Sequence, residues 1–412
     1  MGEPLYYNYP IIASGKESVL SCKKTEELFA VELDSSIFFP EGGGQLSDKG
    51  TIDGVEVREV KTVNGRTVHY CTAPVEEGKE AEVRLDVDAR WDHSRQHTGE
   101  HILSGLANKL FGAVNVGFHM AEDYCTIDFD IFLEKDMLEI LEKEANAAVM
   151  ANRPVTTLTV GGAEAMKLEL RKHADKLSAS TEAVRIVYID EGRIDSCTCC
   201  GTHVQSTGEV GAIMITDSQK YKGGTRLWFS CGGRAVEKSL RQRELLSALA
   251  RMYSTSEQEL RTAIKKQVDD LSSAYSELKL KSRLLAGEYA EKLLARGKVI
   301  GSTAVICEAF EGMNANDLKL IGENICSSAA SAKGISTVAA LLFAINNGVT
   351  EYRMVCSPEL KFSMKELCSA VNAAVNGKGG GSPVFAQGKT NTQVDDDTVA
   401  MLRNYMERAI KG

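Results

Sequence analysis

His97-Thr98-Gly99-Glu100-His101-Ile102-Leu103-Ser104-Gly105-Leu106-Ala107-Asn108-Lys109-Leu110 carries two patterns at once. Ile102, Leu103, Leu106 and Leu110 recur at the three-and-four spacing of a helix with one buried face. His97 and His101 stand one turn apart on that helix, so two imidazoles can be aimed at one point. Downstream, Cys199 and His203 repeat the offset in a different setting. Cys199-Cys200-Gly201-Thr202-His203 holds a glycine that permits a tight turn, letting a thiolate and an imidazole converge from a loop. Together the four donors make a tetrahedral nitrogen and sulfur set, the combination that suits Zn²⁺ best. One ion per chain is therefore expected at His97, His101, Cys199 and His203. His93 continues the spacing upstream, but two such steps turn the direction by about 80°. That predicts a position for His93 on the surface or behind the ligands.

The chain has 412 residues, 43% hydrophobic and 25% charged. Those proportions are typical of a soluble globular protein, and the length calls for roughly two to four domains. No apolar run is long enough to span a membrane, and Met1-Gly2-Glu3-Pro4 does not open a secretory leader. A cytoplasmic location is expected. Eleven cysteines, an odd number, are dense only at Cys197, Cys199 and Cys200, which fits a reducing compartment with one metal site better than a disulfide framework. The net charge of −9 argues against nonspecific nucleic-acid binding and leaves room for a local basic groove.

The pattern predicts an α+β protein in four parts. Residues 1–90 read as short strands, among them Leu28–Leu33 and Glu80–Leu85, joined by glycine-rich turns into a small β-barrel-like domain. Residues 91–235 read as a mixed domain, helical from Trp91, with a second helix over 135–151 and a buried strand, Val184–Ile189, leading into the cysteine turn. Residues 236–297 are rich in Glu, Lys, Arg, Leu and Ala, a helical hairpin or coiled coil broken at Ser254-Thr255-Ser256 and restarting at Ser256. Residues 298–412 alternate strands (Val299–Cys307, Thr337–Phe343, Tyr352–Cys356) with helices (Ala315–Ser331, Met364–Val375), as in a small α/β domain. Within it, Gly377-Lys378-Gly379-Gly380-Gly381-Ser382-Pro383 is either a flexible loop or a nest of backbone N–H groups for a phosphate or an RNA backbone.

Four motifs in order resemble the editing domain of alanyl-tRNA synthetases and the free-standing AlaX proteins, in particular their long form. They are Phe38-Phe39-Pro40-Glu41-Gly42-Gly43-Gly44-Gln45 with Asp48 and Gly50, the His97–His101 pair, Cys199–His203, and Lys222-Gly223-Gly224-Thr225-Arg226. The tail, Gly379–Pro383 followed by Ala386-Gln387-Gly388, is similar to the DHHA1 domain that ends alanyl-tRNA synthetases. The chain departs from the family pattern at Cys200, where a glycine is usual, at Ser36, where a threonine is usual, and at Lys389, which replaces a glycine.

The resemblance implies an enzyme that deacylates mischarged tRNA(Ala) without ATP, acting chiefly on serine, with glycine as a second substrate. It implies that Ser36 and Gln45 act in catalysis, Ser36 reading the substrate hydroxyl and Gln45 orienting the terminal adenosine or the ester. Gly42, Gly43, Gly44, Thr202, Arg226, Gly379, Gly380 and Gly381 would bind substrate, and the helical and C-terminal regions would make tRNA contacts or a homodimer. Three other readings compete. His97–His101 also satisfies H-x-x-E-H, the inverzincin protease pattern with Glu100 as general base. A DHH phosphoesterase would need an Asp-His-His triplet, where this chain has Asp92-His93-Ser94. A third candidate is a catalytically silent tRNA-binding protein in which zinc only holds the fold. The sequence nominates no proton acceptor outside the metal set.

Overall fold

The computed structural model describes residues 4–172, 178, 180, 181 and 183–411. The chain divides into two compact units, Met1–Leu249 and Ala250–Gly412. The dividing point lies in the last turn of a helix, beyond the boundary at 235 that the sequence suggests.

The first unit opens with a closed six-stranded barrel of order β1-β2-β5-β4-β3-β6. Its strands are β1 (Ser14–Lys24), β2 (Phe29–Leu33), β3 (Gly50–Ile52), β4 (Val55–Val63), β5 (Arg66–Cys71) and β6 (Glu80–Leu85). Along β6, Ala81, Val83 and Leu85 point inward while Glu80, Glu82 and Arg84 face solvent, the alternation a half-buried strand requires. Val19, Val31, Ile52, Val57, Val60 and Val83 fill the interior.

Helix α1 (Val87–Phe111) follows directly. It starts four residues before Trp91, because the Asp86 carboxylate caps it by accepting from the Ala89 N–H, a signal that apolar spacing cannot reveal. Two glycines in α1, each less helix-favouring than alanine by about 1 kcal/mol, allow close packing. A Cβ at Gly99 would stand 2.2 Å from Cys231 Sγ, and one at Gly105 2.3 Å from the Ile194 carbonyl oxygen. Around α1 lie β7 (Asn115–Met120), β8 (Cys125–Phe129), α2 (Lys135–Met150), β9 (Val155–Val160), the one-turn α3 (Gly162–Ala165), β10 (Val184–Ile189), β11 (Asp195–Thr198), β12 (Ile213–Tyr221), β13 (Gly224–Cys231) and α4 (Gly232–Met252). They form one antiparallel sheet of order β12-β13-β8-β7 and another of order β11-β10-β9. The expected strand Val184–Ile189 does not lead straight into the cysteine turn, since β11 intervenes after a hairpin at Asp190-Glu191-Gly192.

The second unit starts with α5 (Leu260–Arg296). The break after α4 falls where expected, but α5 begins four residues beyond Ser256, whose hydroxyl accepts from the Glu259 N–H in a preceding turn. The rest comprises β14 (Lys298–Ile300), β15 (Thr303–Glu311), α6 (Ala315–Ala329), β16 (Thr337–Asn346), β17 (Val349–Cys356), α7 (Met364–Val375), β18 (Lys378–Gly381), β19 (Phe385–Thr390) and α8 (Asp396–Lys411). One sheet runs β14-β15-β16-β17-β19-β18, with β15 and β16 parallel across the α6 crossover. Alternate residues of β16 face opposite cores: Ala339, Leu341 and Phe343 meet α7 and α8, whereas Val338, Ala340 and Leu342 meet α5 and α6. Burial on both faces explains the unbroken apolar run.

Two expectations for this unit need correction. Val299–Cys307 is not one strand: Gly301, at φ +62°, turns the chain between β14 and β15. The run Gly379–Gly381 is neither a loop nor a nest, but the edge strand β18 paired with β19. Glycine is needed there because a Cβ at Gly379 or Gly381 would lie 2.3 Å from the Gln387 carbonyl oxygen or 2.2 Å from that of Phe385.

Barrel and α1 are locked together by a buried ion pair. The Arg90 guanidinium holds the Asp48 carboxylate and also donates to the carbonyls of Ile37 (2.8 Å) and Tyr6 (3.1 Å). Asp48 is fully buried and accepts from the Phe39 N–H as well. Asp48→Ala strands a buried cation, which predicts a loss of about 3–5 kcal/mol, read as a lower denaturant midpoint in equilibrium unfolding. An unchanged midpoint would show that the pair does not tie these parts together.

Candidate metal centre

α1 projects His97 and His101 from one face, and the turn after β11 brings Cys199 and His203 against them. The ligand atoms of these four residues all lie within 4.8 Å of one another. Cys199 Sγ is 3.4 Å from His97 Nε2 and 3.4 Å from His203 Nε2. Gly201 is needed here for closeness of approach: a Cβ on it would stand 2.0 Å from His97 Cε1 and 2.2 Å from its Nδ1. It does not adopt the left-handed conformation a tight turn would have asked of it.

Each imidazole is pinned by its outer nitrogen. His97 Nδ1 lies 2.7 Å from Gln45 Oε1, His101 Nδ1 lies 2.9 Å from Asp195 Oδ2, and His203 Nδ1 lies 3.1 Å from Thr98 Oγ1. All three partners are acceptors. Gln45 Oε1 also receives the Thr202 N–H at 3.0 Å, which fixes the amide orientation, and Asp195 is a carboxylate. Thr98 donates its own proton to the Ser94 carbonyl at 2.8 Å, leaving only a lone pair for His203. The three Nδ1 atoms therefore carry protons, and the Nε2 atoms are turned inward as donors to a cation.

The electrostatics favour the same occupant. Burial alone would push the Asp195 carboxyl up, but hydrogen bonds from His101 and Arg171 hold it well below the usual carboxylate range. Burial opposes ionisation of Cys199, yet His97, His101 and His203 outweigh it and hold the thiol well below its ordinary value. Burial drives His203 down to about 3, so that ring is neutral. Burial likewise opposes charge on His101, but the sulfurs of Cys197 and Cys199 and the Asp195 carboxylate raise its pKa well above the ordinary value. A single proton on His101 cannot serve all the inward lone pairs. A divalent cation that displaces it satisfies the four together, and borderline-soft Zn²⁺ matches three nitrogens and one sulfur.

Beside the set opens a cleft of about 640 Å³ lined by His97, Glu100, His101, Asn115, Phe118 and Cys197, with Arg171, Lys172 and Arg185 also on its wall.

Comparison with known proteins accords with this geometry. Residues 184–227 match the threonyl and alanyl tRNA synthetase second additional domain. The alanyl-tRNA editing protein AlaX-L of Pyrococcus horikoshii is 30% identical over 425 residues, covering 99% of this chain and 100% of that protein. The chain belongs to the alanyl-tRNA editing family. The editing protein Aarsd1 of Danio rerio is 33% identical over 242 residues, 58% of each chain. An alanine–tRNA ligase of Pyrococcus abyssi is 27% identical over 371 residues, 87% of this chain and 39% of that one. Among solved structures, the C-Ala domain of Aquifex aeolicus alanyl-tRNA synthetase matches 28% of this chain and 98% of that domain at 17% identity, with a TM-score of 0.24 that is too low to bear on the fold.

Several residues assigned to substrate by resemblance to the editing family have other partners. Gln45 is buried with both amide groups engaged: Oε1 faces His97 and Nε2 donates to Thr202 Oγ1 at 2.8 Å. It holds the ring of His97, one of the four candidate donors. Thr202 is buried likewise, its hydroxyl shared with Gln45 and Ser94. Ser36 donates to His69 Nε2 at 2.8 Å inside the barrel, because His69 Nδ1 already serves the Val31 carbonyl; it does not line the cleft. Arg226 grips Asp128 through two hydrogen bonds of 2.6 and 2.7 Å and stacks on Tyr221, again away from the cleft. Gly42 and Gln45 close a tight turn in which Gly43 and Gly44 have φ +60° and +82°, and of these glycines Gly43 reaches the cleft. Gly379, Gly380 and Gly381 lie in the other unit. His93 is only 4% exposed, so it is not a surface residue, and it stands outside the four-donor set.

Asp195, Thr98 and Asn115 had no local signature in the sequence. Glu100 had one: it lies three residues after His97, on the same helix face. The protease reading draws no support from the comparisons, which match the chain to an editing protein over its whole length. Gln45→Ala removes the acceptor that orients His97, and a loss of roughly 10- to 100-fold in zinc affinity is expected, measured by competition with a chromogenic chelator. Unchanged affinity would contradict this role for Gln45.

Proposed function

We propose that the chain acts in trans on mischarged tRNA(Ala), hydrolysing the ester to serine and, as a second substrate, glycine, with one Zn²⁺ held by His97, His101, Cys199 and His203. The observation that carries this reading is the preorganised donor set at the wall of a cleft, in a chain that matches an editing protein end to end. Water adds to the ester carbonyl, the ribose hydroxyl leaves with a proton, and no ATP is consumed.

A second sieve of this kind meets a real physical need. A pocket built for alanine rejects an analogue that merely adds a hydroxyl by only roughly 10², the figure for a comparable valine and threonine case. A site that hydrogen-bonds the serine hydroxyl reaches roughly 10⁴–10⁵, a selectivity that bears on serine and not on glycine, which has no hydroxyl. When bound, the ion would supply either Lewis-acid polarisation or rigidity to the cleft wall. Gln45, Thr98 and Asp195 hold the three imidazole tautomers, Phe118 covers one His97 face at 5.3 Å between ring centroids, and Arg171 neutralises Asp195.

RNA contact in an acidic chain has to be local. The β12–β13 hairpin tip offers Lys220 over the exposed Phe132 ring (4.5 Å) and Lys222 beside Tyr221 (5.1 Å), a cationic and aromatic surface suited to an acceptor end. We assign the protein to the cytoplasm with its RNA substrate; among the described residues no helix is long and apolar enough to cross a membrane.

Residues 298–412, which we read as DHHA1-like, and the helical region 236–297 before them are the parts we assign to a homodimer, and α5 carries the argument. Val268, Leu271, Tyr275, Leu278 and Leu285 are exposed along α5 at heptad spacing, the seam of a coiled coil. Leu271→Asp is expected to turn a dimer into a monomer in sedimentation velocity; a wild type that sediments as a monomer contradicts the assignment.

A second reading, a silent tRNA-binding protein with structural zinc, is favoured by the closed donor set. One experiment separates the two. Purified zinc-loaded protein is expected to deacylate Ser-tRNA(Ala) far faster than Ala-tRNA(Ala) and to lose this on chelation. Tight tRNA binding with no deacylation would select the silent reading.

A further inference from the structure

Glu100 is the one acidic side chain lining the cleft among the described residues. It is 4% exposed, and no lysine or arginine pairs with it among the described residues. Asp195, the other carboxylate beside the metal ligands, is different: Arg171 grips it through hydrogen bonds of 2.6 and 3.0 Å. Glu100 is held on one side only. Ser104 Oγ and Asn115 Nδ2 both donate to its Oε1, which fixes the carboxylate, while Oε2 looks toward the metal-facing nitrogen of His101 at 3.7 Å. Glu100 does not belong to the four-donor set. Both hydrogen bonds to the carboxylate reach Oε1, so Oε2, whose nearest cationic neighbour is the His101 ring at 3.7 Å, has no hydrogen-bond donor among the described residues and can accept one from a ligand.

The cleft is polar in a particular sense: a single carboxylate on its floor, with Arg171, Lys172 and Arg185 on its wall. An aminoacyl ester of RNA has the matching asymmetry, an ammonium at one end and phosphates at the other. We infer that Glu100 Oε2 is the receptor for the α-ammonium group of the aminoacyl ester, an inference that rests on the deacylase reading above. Chemistry sets the distance. The α-nitrogen is two bonds from the ester carbonyl carbon, so an ammonium seated on Oε2 brings that carbonyl beside His97, His101 and Cys199. Charge-assisted N–H to carboxylate bonds are among the strongest available for such orientation. Glu100 thereby selects esters with a free amino group over those whose nitrogen is acylated.

The test uses the full-length zinc-loaded chain, Ser-tRNA(Ala) and N-acetyl-Ser-tRNA(Ala), assayed slightly below neutral pH where the amine is protonated. Wild type is expected to show a KM for the free-amine ester at least tenfold below that for the acetylated one. Glu100→Gln is expected to erase this difference by raising the first KM to the level of the second, with zinc retained. Binding supplies a readout independent of turnover: calorimetry with the non-hydrolysable 3′-seryl amide of 3′-amino-3′-deoxyadenosine should show the same loss in Glu100→Gln, and none for its N-acetyl form. Equal handling of both esters by wild type overturns the inference without any variant. An equal fall of kcat on both esters in Glu100→Gln, or loss of zinc, overturns it in favour of proton transfer or metal ligation. If wild type hydrolyses neither ester, the deacylase reading itself fails.

Discussion

Three imidazole N–H groups, each held by an oxygen acceptor, are the constraint on which the rest of the site depends. The acceptors come from separate places: Gln45 from a turn of the barrel, Asp195 from the start of β11, and Thr98 from α1 itself. A histidine whose ring is free to rotate presents either nitrogen to a cation. One whose Nδ1 is bonded presents only Nε2, in a fixed direction. The barrel therefore reaches into the metal site through a single amide, and the buried Arg90–Asp48 pair keeps that amide in register with α1. Behind His101 the support is two layers deep, since Arg171 fixes the Asp195 carboxylate that fixes the ring.

The same arrangement explains the glycines around the centre. Gly201 and Gly99 leave no room for a side chain, the first against His97 and the second against Cys231. Gly43 and Gly44 have positive φ and turn the chain so that Gln45 faces inward. Closeness of approach accounts for glycine at Gly99, Gly201 and Gly44, and the left-handed backbone for Gly43.

What was legible in the sequence follows from this. The donors His97, His101, Cys199 and His203 could be read because spacing along one helix or one turn is a local property, and so could α1, β6 and α7, whose apolar residues recur with a single period, and β16, which is one unbroken apolar run. The acceptors could not be read. Asp195 lies 94 residues from His101 and Gln45 lies 52 from His97, and nothing in either neighbourhood marks it as a partner. Resemblance then assigned Gln45 and Ser36 to catalysis and Thr202 and Arg226 to substrate, whereas the hydrogen bonds these side chains make in the structure are to His97, His69, Gln45 and Asp128. The glycine run of β18 misled for a related reason. Glycine marks a turn or a close approach equally well, and here the approach is to β19.

X-ray absorption at the zinc edge of freshly purified, untagged protein tests the central claim most directly. The account predicts one zinc per chain with a shell of three nitrogens at about 2.0–2.1 Å and one sulfur at about 2.3 Å. Protein without stoichiometric zinc, or a shell made of oxygens or lacking the sulfur, would contradict it.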